Sequence, residues 1–202
     1  MNLKKFLILA ISFCFFNIIV SNAEQSRATE ERTLDDAEGV YMADDRENTI
    51  QIELKDGNVI IELMTDIAPN HSNRIKELTR EGFYDGVPFH RVIEGFMAQT
   101  GGGQNMNGTG GSSKPDLINE FSNTSHLRGT VSMARTADPD SANSQFFICF
   151  AEAPHLDGQY TAFGQVISGM EYVDNIKRGE PGSGTVDDPD VMISVKVLAD
   201  IQ

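Results

Sequence analysis

Thirty Asp and Glu side chains against 16 Lys and Arg give this 202-residue chain a formal charge of −14. An acidic excess of that size repels phosphate backbones and anionic lipid surfaces, which excludes nucleic acid as a natural partner. With 40% apolar residues, the length suits one domain with its own core rather than two.

Residues 1–23 carry Lys4 and Lys5, then the apolar run FLILAISFCFFNIIV, then Ser21, Asn22 and Ala23. That order reads as a signal peptide cleaved after Ala23. The run falls short of the ~20 residues of a bilayer span, so an uncleaved anchor is the lesser alternative. Cys14 behind the bulky Phe13 does not fit a lipoprotein signal. Cleavage leaves 14 basic against 30 acidic side chains, a formal charge of −16, and Cys149 as the remaining cysteine. No internal disulfide can then form, and the setting FFICF marks Cys149 as a buried packing thiol. The expected destination is the bacterial periplasm, without stable membrane insertion once the signal is removed.

Residues 24–48 hold nine acidic and three basic side chains and no sustained apolar period, as in a flexible acidic leader. The folded domain is expected over 49–202. It opens with a β-hairpin: Ile50, Ile52 and Leu54 alternate with polar residues, Asp56 and Gly57 turn the chain, and Val59, Ile61 and Leu63 alternate again. Pro69 suits the first turn of a helix, Ile75 and Leu78 share one face, and Gly82 ends it, so a helix of about 12 residues follows.

Six apolar runs separated by turn residues then predict six strands: VPFHRVI, GFMAQ, GTVSMA, SQFFICF, YTAFGQVI and VMISVKVL. Met170, Val173 and Ile176 recur every three residues within GMEYVDNIKRG, which predicts a second helix. Many strands with two helices in no regular alternation exclude a doubly wound sheet and favour a barrel or sandwich. Alternation also groups polar with apolar residues. Arg91 stands in one strand with Phe96, Met97 and Gln99 in or beside the next, Gln145 and Phe147 fall on one side of another, and Leu156 and Tyr160 lie beyond a turn.

Taken in order, FHRVIEGFMAQTGG (89–102), NGTGG (107–111), VSMART, SQFFIC and LDGQYTAFG closely resemble the cyclophilin family of peptidyl-prolyl isomerases, over roughly residues 49–198. The resemblance implies an all-β-dominated fold, a closed eight-stranded antiparallel barrel capped by two α-helices. It places Arg91 on the family's catalytic arginine, Phe96, Met97, Phe147 and Leu156 on the wall of a proline pocket, and Gln99 and Gln145 on its polar contacts. Gly108, Ala134 and Arg135 fall in the neighbouring groove, where main-chain groups hold the peptide. Arg135 replaces a frequent Asn, so its main-chain role is what carries over. His155 stands where the family usually has Trp, and Tyr160 where it often has His. Catalysis is expected to survive both changes, whereas cyclosporin binding should weaken where the indole donor is missing.

The implied partners are proline-containing polypeptides, and the protein is expected to act as a monomer on folding exported proteins. No covalent bond breaks in bond rotation, so no cofactor, metal or nucleophile is called for. The competing reading is a non-catalytic module that holds proline segments as a chaperone or scaffold. GGGQNMNGTGG lacks the Gly-Lys-Ser/Thr ending of a phosphate loop. His71, His90, His126 and His155 lack metal-site spacing, and no G-x-S-x-G elbow supports a hydrolase.

Overall fold

The computed structural model describes residues 45–102 and 108–202. The expected signal peptide and nearly all of the expected leader lie outside these residues. A compact unit spans Arg46–Gln202, and residues 46–48, expected at the end of the leader, form a 3-10 turn within it.

Strands β1 (Thr49–Leu54) and β2 (Gly57–Leu63) form the expected hairpin, with Leu54 opposite Gly57. The six apolar residues that defined it are all buried. Helix α1 (Pro69–Arg80) follows, with Pro at its start. Gly82 then takes φ +69°, and the N–H of Phe83 returns to the Leu78 carbonyl to close the helix end. No side chain within the helix caps its first turn. Glu120 does so from 50 residues downstream, accepting the backbone N–H of Asn70 and of His71 at 3.1 Å each.

The six predicted strands are present as β3 (Arg91–Ile93), β4 (Met97–Thr100), β5 (Thr130–Met133), β6 (Phe146–Cys149), β7 (Ala162–Ser168) and β8 (Ser194–Val197). With β1 and β2 they make one antiparallel sheet in the order β3-β4-β6-β5-β7-β2-β1-β8. The expected closed barrel is corrected here, because the two edge strands, β3 and β8, are not laddered together and the sheet is an open half-barrel. At this seam residues 86–92 instead meet residues 184–192, which precede β8, through the isolated bridges Pro88 to Val191 and Arg91 to Thr185. Backbone hydrogen bonds add to these, such as Phe89 N–H to the Asp190 carbonyl at 2.9 Å and Val92 N–H to the Gly184 carbonyl at 2.7 Å. Proline has no N–H to give a ladder, and Pro88 and Pro189 both stand at this seam, which leaves an irregular contact there.

The second helix is also shorter than its sequence pattern. Helix α2 covers Met170–Asp174. Beyond it, Asp190 accepts the Lys177 N–H at 2.8 Å and the Val92 carbonyl accepts the Gly179 N–H at 2.9 Å, drawing the chain away from the helix axis. Ile176 still packs in the core, which satisfies the apolar spacing without a further turn of helix.

The central strands are buried on both faces. One face, with Val92, Ala98, Val131, Phe146 and Ile148, joins the main core, where Phe146 meets Tyr84 and Phe163 edge-on at 5.6 and 6.0 Å. Burial of each such side chain contributes about 1.5–3 kcal/mol. The opposite face carries a smaller cluster of Met97, Phe147, Cys149, Ala153 and Leu156, against which Ile93, Phe96, Ala134 and Tyr160 pack.

Candidate active site

Strand register builds a row of side chains across this second face. Arg91 pairs with Gln99 across β3 and β4, Gln99 with Phe147 across β4 and β6, and Phe147 with Ser132 across β6 and β5. Residues opposite one another in a ladder project to the same side, so a cation, an amide and an aromatic ring stand in sequence on one surface.

Arg91 is partly buried but does not turn into the core. Its Nε donates to the Ser183 carbonyl at 3.2 Å and its Nη1 to Gln99 Oε1 at 3.3 Å. No carboxylate pairs with it among the described residues. Gln99 Nε2 donates in turn to Gln145 Oε1 at 3.0 Å, and Gln145 Nε2 donates to the carbonyls of Gly108 and Gly110, each at 2.9 Å. Two glutamines thus connect the arginine to the glycine loop. Gly108 has φ +73°, and a Cβ there would stand 2.2 Å from the His90 ring, so the loop approaches as closely as it does because the residue is glycine.

Two adjoining cavities result. One, of about 440 Å³, is lined by Arg91, Phe96, Met97, Gln99, Ala134, Arg135, Phe147, His155, Leu156, Gln159 and Tyr160. Its walls are ring-rich: Phe147 meets Tyr160 edge-on at 6.0 Å, and Phe96 lies 5.3 Å from the exposed His155 ring. The other, about 640 Å³, is a groove lined by Gln99, Gly108, Ala134, Arg135, Gln145 and further polar residues including Asp116, Ser141 and Asn143. Gln99, Ala134 and Arg135 border both. The structure therefore brings together all twelve residues singled out from the sequence, ten in one cavity and Gly108 and Gln145 in the other.

Several contributors were not among the residues singled out from the sequence, although Gln159 and Asp157 fall within the motif LDGQYTAFG. Gln159 lines the apolar cavity, and its carbonyl accepts both Nε and Nη2 of Arg135. Ser183 orients Arg91 from 92 residues away. Behind Phe147, the His126 ring stacks at 6.5 Å, with Nδ1 at 2.9 Å from Asp157 Oδ1 and Nε2 at 3.0 Å from Ser132 Oγ. The order Ser-His-Asp invites comparison with a hydrolytic triad, yet Ser132 and His126 are 0% and 1% exposed. Their hydroxyl and ring prop the aromatic wall from inside. Asp157 sits within LDGQY, but the 31-residue separation from His126 hides the pair from any local pattern.

The electrostatics follow the same division. The backbone and ring N–H groups of His126 hold the Asp157 carboxyl below its ordinary range. Burial, with the nearby charge of Asp157, pushes the Cys149 thiol up to about 12, which leaves it protonated and inert. Burial also lowers His90, outweighing the hydrogen bond to Pro88.

Comparison with known proteins identifies the family. The family model described as cyclophilin type peptidyl-prolyl cis-trans isomerase/CLD matches residues 49–197. A Brucella suis protein named "Probable peptidyl-prolyl cis-trans isomerase" is 54% identical over 169 residues, covering 78% of this chain and 86% of its own. Peptidyl-prolyl cis-trans isomerase B of Bacillus subtilis is 43% identical over 129 residues, or 63% of this chain and 89% of its own. Among solved structures, cyclophilin AquaCyp293 from Hirschia baltica superposes with a TM-score of 0.67 at 28% identity, covering 78% of this chain and 76% of its own. A Cryptosporidium parvum cyclophilin type isomerase, crystallised in the presence of the dipeptide Ala-Pro, gives 0.67 at 27% identity over 74% of this chain and 98% of its own. A family match across the whole described sheet, on a structure whose cation, paired glutamines and aromatic wall meet at one surface, establishes that this chain belongs to the cyclophilin-type peptidyl-prolyl cis-trans isomerases.

Proposed function

We propose that the apolar cavity holds a substrate proline ring while Arg91 stabilises the twisted amide, and that the clients are proteins folding after export to the periplasm. The observation that carries the reading is the placement of Arg91, anchored through two of its N–H groups and bordering the same cavity as Phe96, Met97, Phe147 and Leu156.

Rotation about an X-Pro bond is slow because amide resonance imposes a barrier of about 18–20 kcal/mol. As the bond twists, the proline nitrogen becomes pyramidal and regains its lone pair, so a fixed donor aimed there favours the twisted state over either planar one. A guanidinium carries five N–H groups and stays protonated. Two of those on Arg91 go to Ser183 and Gln99, and the rest are left for the substrate's nitrogen or carbonyl oxygen. Gln99 serves catalysis by positioning: it borders the cavity, holds Arg91 in place and is itself held by Gln145. Phe96, Met97, Phe147, Leu156, His155 and Tyr160 supply the ring's slot, while Gly108, Ala134, Arg135 and Gln145 border the path of the adjoining chain.

The export role rests on the composition of residues 1–23. Two measurements test the proposal together: isomerisation of a short proline peptide by the chain and by Arg91→Ala, and the location of the protein after cell fractionation. Equal rates for the two proteins, or retention in the cytoplasm, would remove the corresponding half of the reading.

A further inference from the structure

Arg135 stands at the ridge between the two cavities, and the structure fixes it more firmly than a surface cation usually is. Its Nε and Nη2 donate to the Gln159 carbonyl at 3.2 and 3.0 Å, and its Nη1 donates to the Thr136 carbonyl at 2.9 Å. The guanidinium also lies over the Tyr160 ring, 4.5 Å from its centroid, with Phe121 at 5.9 Å. Every protein acceptor it uses is a neutral carbonyl, and no carboxylate neutralises it among the described residues. Three of its five N–H groups are engaged, which leaves two.

The surrounding charges sharpen the point. Around the apolar cavity the ionisable side chains are Arg91, Arg135, His155 and Tyr160, with no Asp or Glu among the lining residues. In the groove Asp116 is the acidic lining residue, and it accepts the Asn143 amide at 2.9 Å. The nearby Asp138 accepts the Asp140 N–H, and Asp140 accepts the backbone and side-chain N–H groups of Asn119. Asp157 is occupied by His126. Hydrogen bonds from neutral donors leave these groove carboxylates charged, so in a chain with a formal charge of −14 the cationic stretch is confined to the apolar cavity and its ridge, where Arg91 and Arg135 stand with no acidic lining residue.

We propose that Arg135 is a specificity-determining residue, which makes this isomerase favour substrates with a carboxylate side chain next to the proline, on the side of the bond that passes over the ridge. The inference rests on the assignment of the apolar cavity to proline given above. A carboxylate placed there meets a preorganised fork without having to order it, whereas one reaching further into the groove meets Asp116 and gains nothing.

The test compares matched tetrapeptides by exchange NMR with the full chain: Ala-Xaa-Pro-Phe and Ala-Ala-Pro-Xaa, where Xaa is Glu, Gln or Lys. In one of the two series the Glu/Gln ratio of kcat/KM should be about two- to fivefold at low salt, the scale of an exposed ion pair, with Lys below Gln. The ratio should approach one at 0.5 M salt and in Arg135→Gln, while Arg135→Lys keeps part of it. Because the readout is a ratio, a general loss of activity in a variant cancels, and the salt series on the unmodified chain stands even if a variant fails to fold. A ratio near one in both series at low salt overturns the proposal, as does a preference that persists in Arg135→Gln, which would move it to Arg91. Absence of isomerisation with every peptide would instead defeat the assignment of the cavity itself.

Discussion

His71, wholly buried in the first turn of α1, gives its Nδ1 hydrogen to the Glu120 carboxylate at 2.6 Å, while its Nε2 finds no partner. A carboxylate accepts only, so the neutral Nδ1–H tautomer is the one this geometry holds. Protonation at Nε2 would bury a charged N–H with nothing to receive it, and burial accordingly lowers the His71 pKa despite the pull of Glu120.

That depression fixes the sign of a pH effect. The unfolded chain binds this proton near pH 6.5 and the folded one only below it, so the stability His71 contributes is present above pH 6.5 and is lost as pH falls from there. His90, lowered by burial as well, acts in the same direction. Glu120 adds a later loss. Burial raises it, but the hydrogen bonds from His71 and Asn70 together outweigh burial and leave it below 4.5, so its contribution disappears as pH falls past that value. Urea midpoints should therefore drop between pH 7.5 and 5.0, and His71→Gln should flatten the slope without abolishing it. A midpoint independent of pH in the parent protein would contradict the neutral, buried assignment.

Loss of a charge-assisted hydrogen bond to the twisted amide should remove about 1.5–3 kcal/mol of transition-state stabilisation. Arg91→Ala should then turn over a proline peptide roughly ten- to a few hundredfold more slowly, with the far-ultraviolet spectrum unchanged. Since arginine does not titrate, kcat in the parent protein should stay nearly flat from pH 6.5 to 8.5. A bell-shaped profile there would point to a general acid or base at the site.

Phe147 is packed between the His126 ring and Tyr160 and is 4% exposed. Phe147→Ala removes a wall of the cavity and part of the second cluster together, so it should cost about 3 kcal/mol of stability and raise KM more than it lowers kcat. Chemical denaturation and initial-rate kinetics on one preparation separate the two effects. Destabilisation with unchanged KM would place the ring in the core alone.

Cys149 offers a direct probe of opening. In a chain with Cys14 replaced by Ser, the thiol should resist a disulfide reagent at pH 8 and react fully in guanidinium chloride, because burial both raises its pKa to about 12 and blocks access. Rapid labelling of the native protein would show that the second cluster breathes.

The parts of the fold that sequence reveals are those whose cause is local. Alternation at Ile50 to Leu63 and the Pro69 to Gly82 bracket define the hairpin and α1 because pleat and helix period act between neighbours. The closure of the sheet does not have a local cause. It depends on which segment β3, more than 90 residues before β8, finds beside it, and residues 184–192 take that place ahead of β8. The second helix was overextended for a related reason, since Ile176 keeps the apolar spacing while the tethers of Lys177 and Gly179 bend the chain. At the site, the lining side chains were legible through ordered motifs, whereas the groups that hold them were not. Ser183 behind Arg91 and His126 behind Phe147 are backbone or buried partners from distant segments, and no spacing in the chain marks them.

Arg46 gives its Nη2 hydrogens to the carbonyls of Leu198 and Ile201, both at 2.7 Å, so the first and last turns of the folded unit lie side by side. They leave from β1 and β8, at the opposite end of the sheet order from β3, β4 and β6, which carry Arg91, Gln99 and Phe147. An isomerase built this way is a ready-made graft: it can be spliced into a loop of a host protein, or circularly permuted through a short joint, with its working surface left clear of the junction.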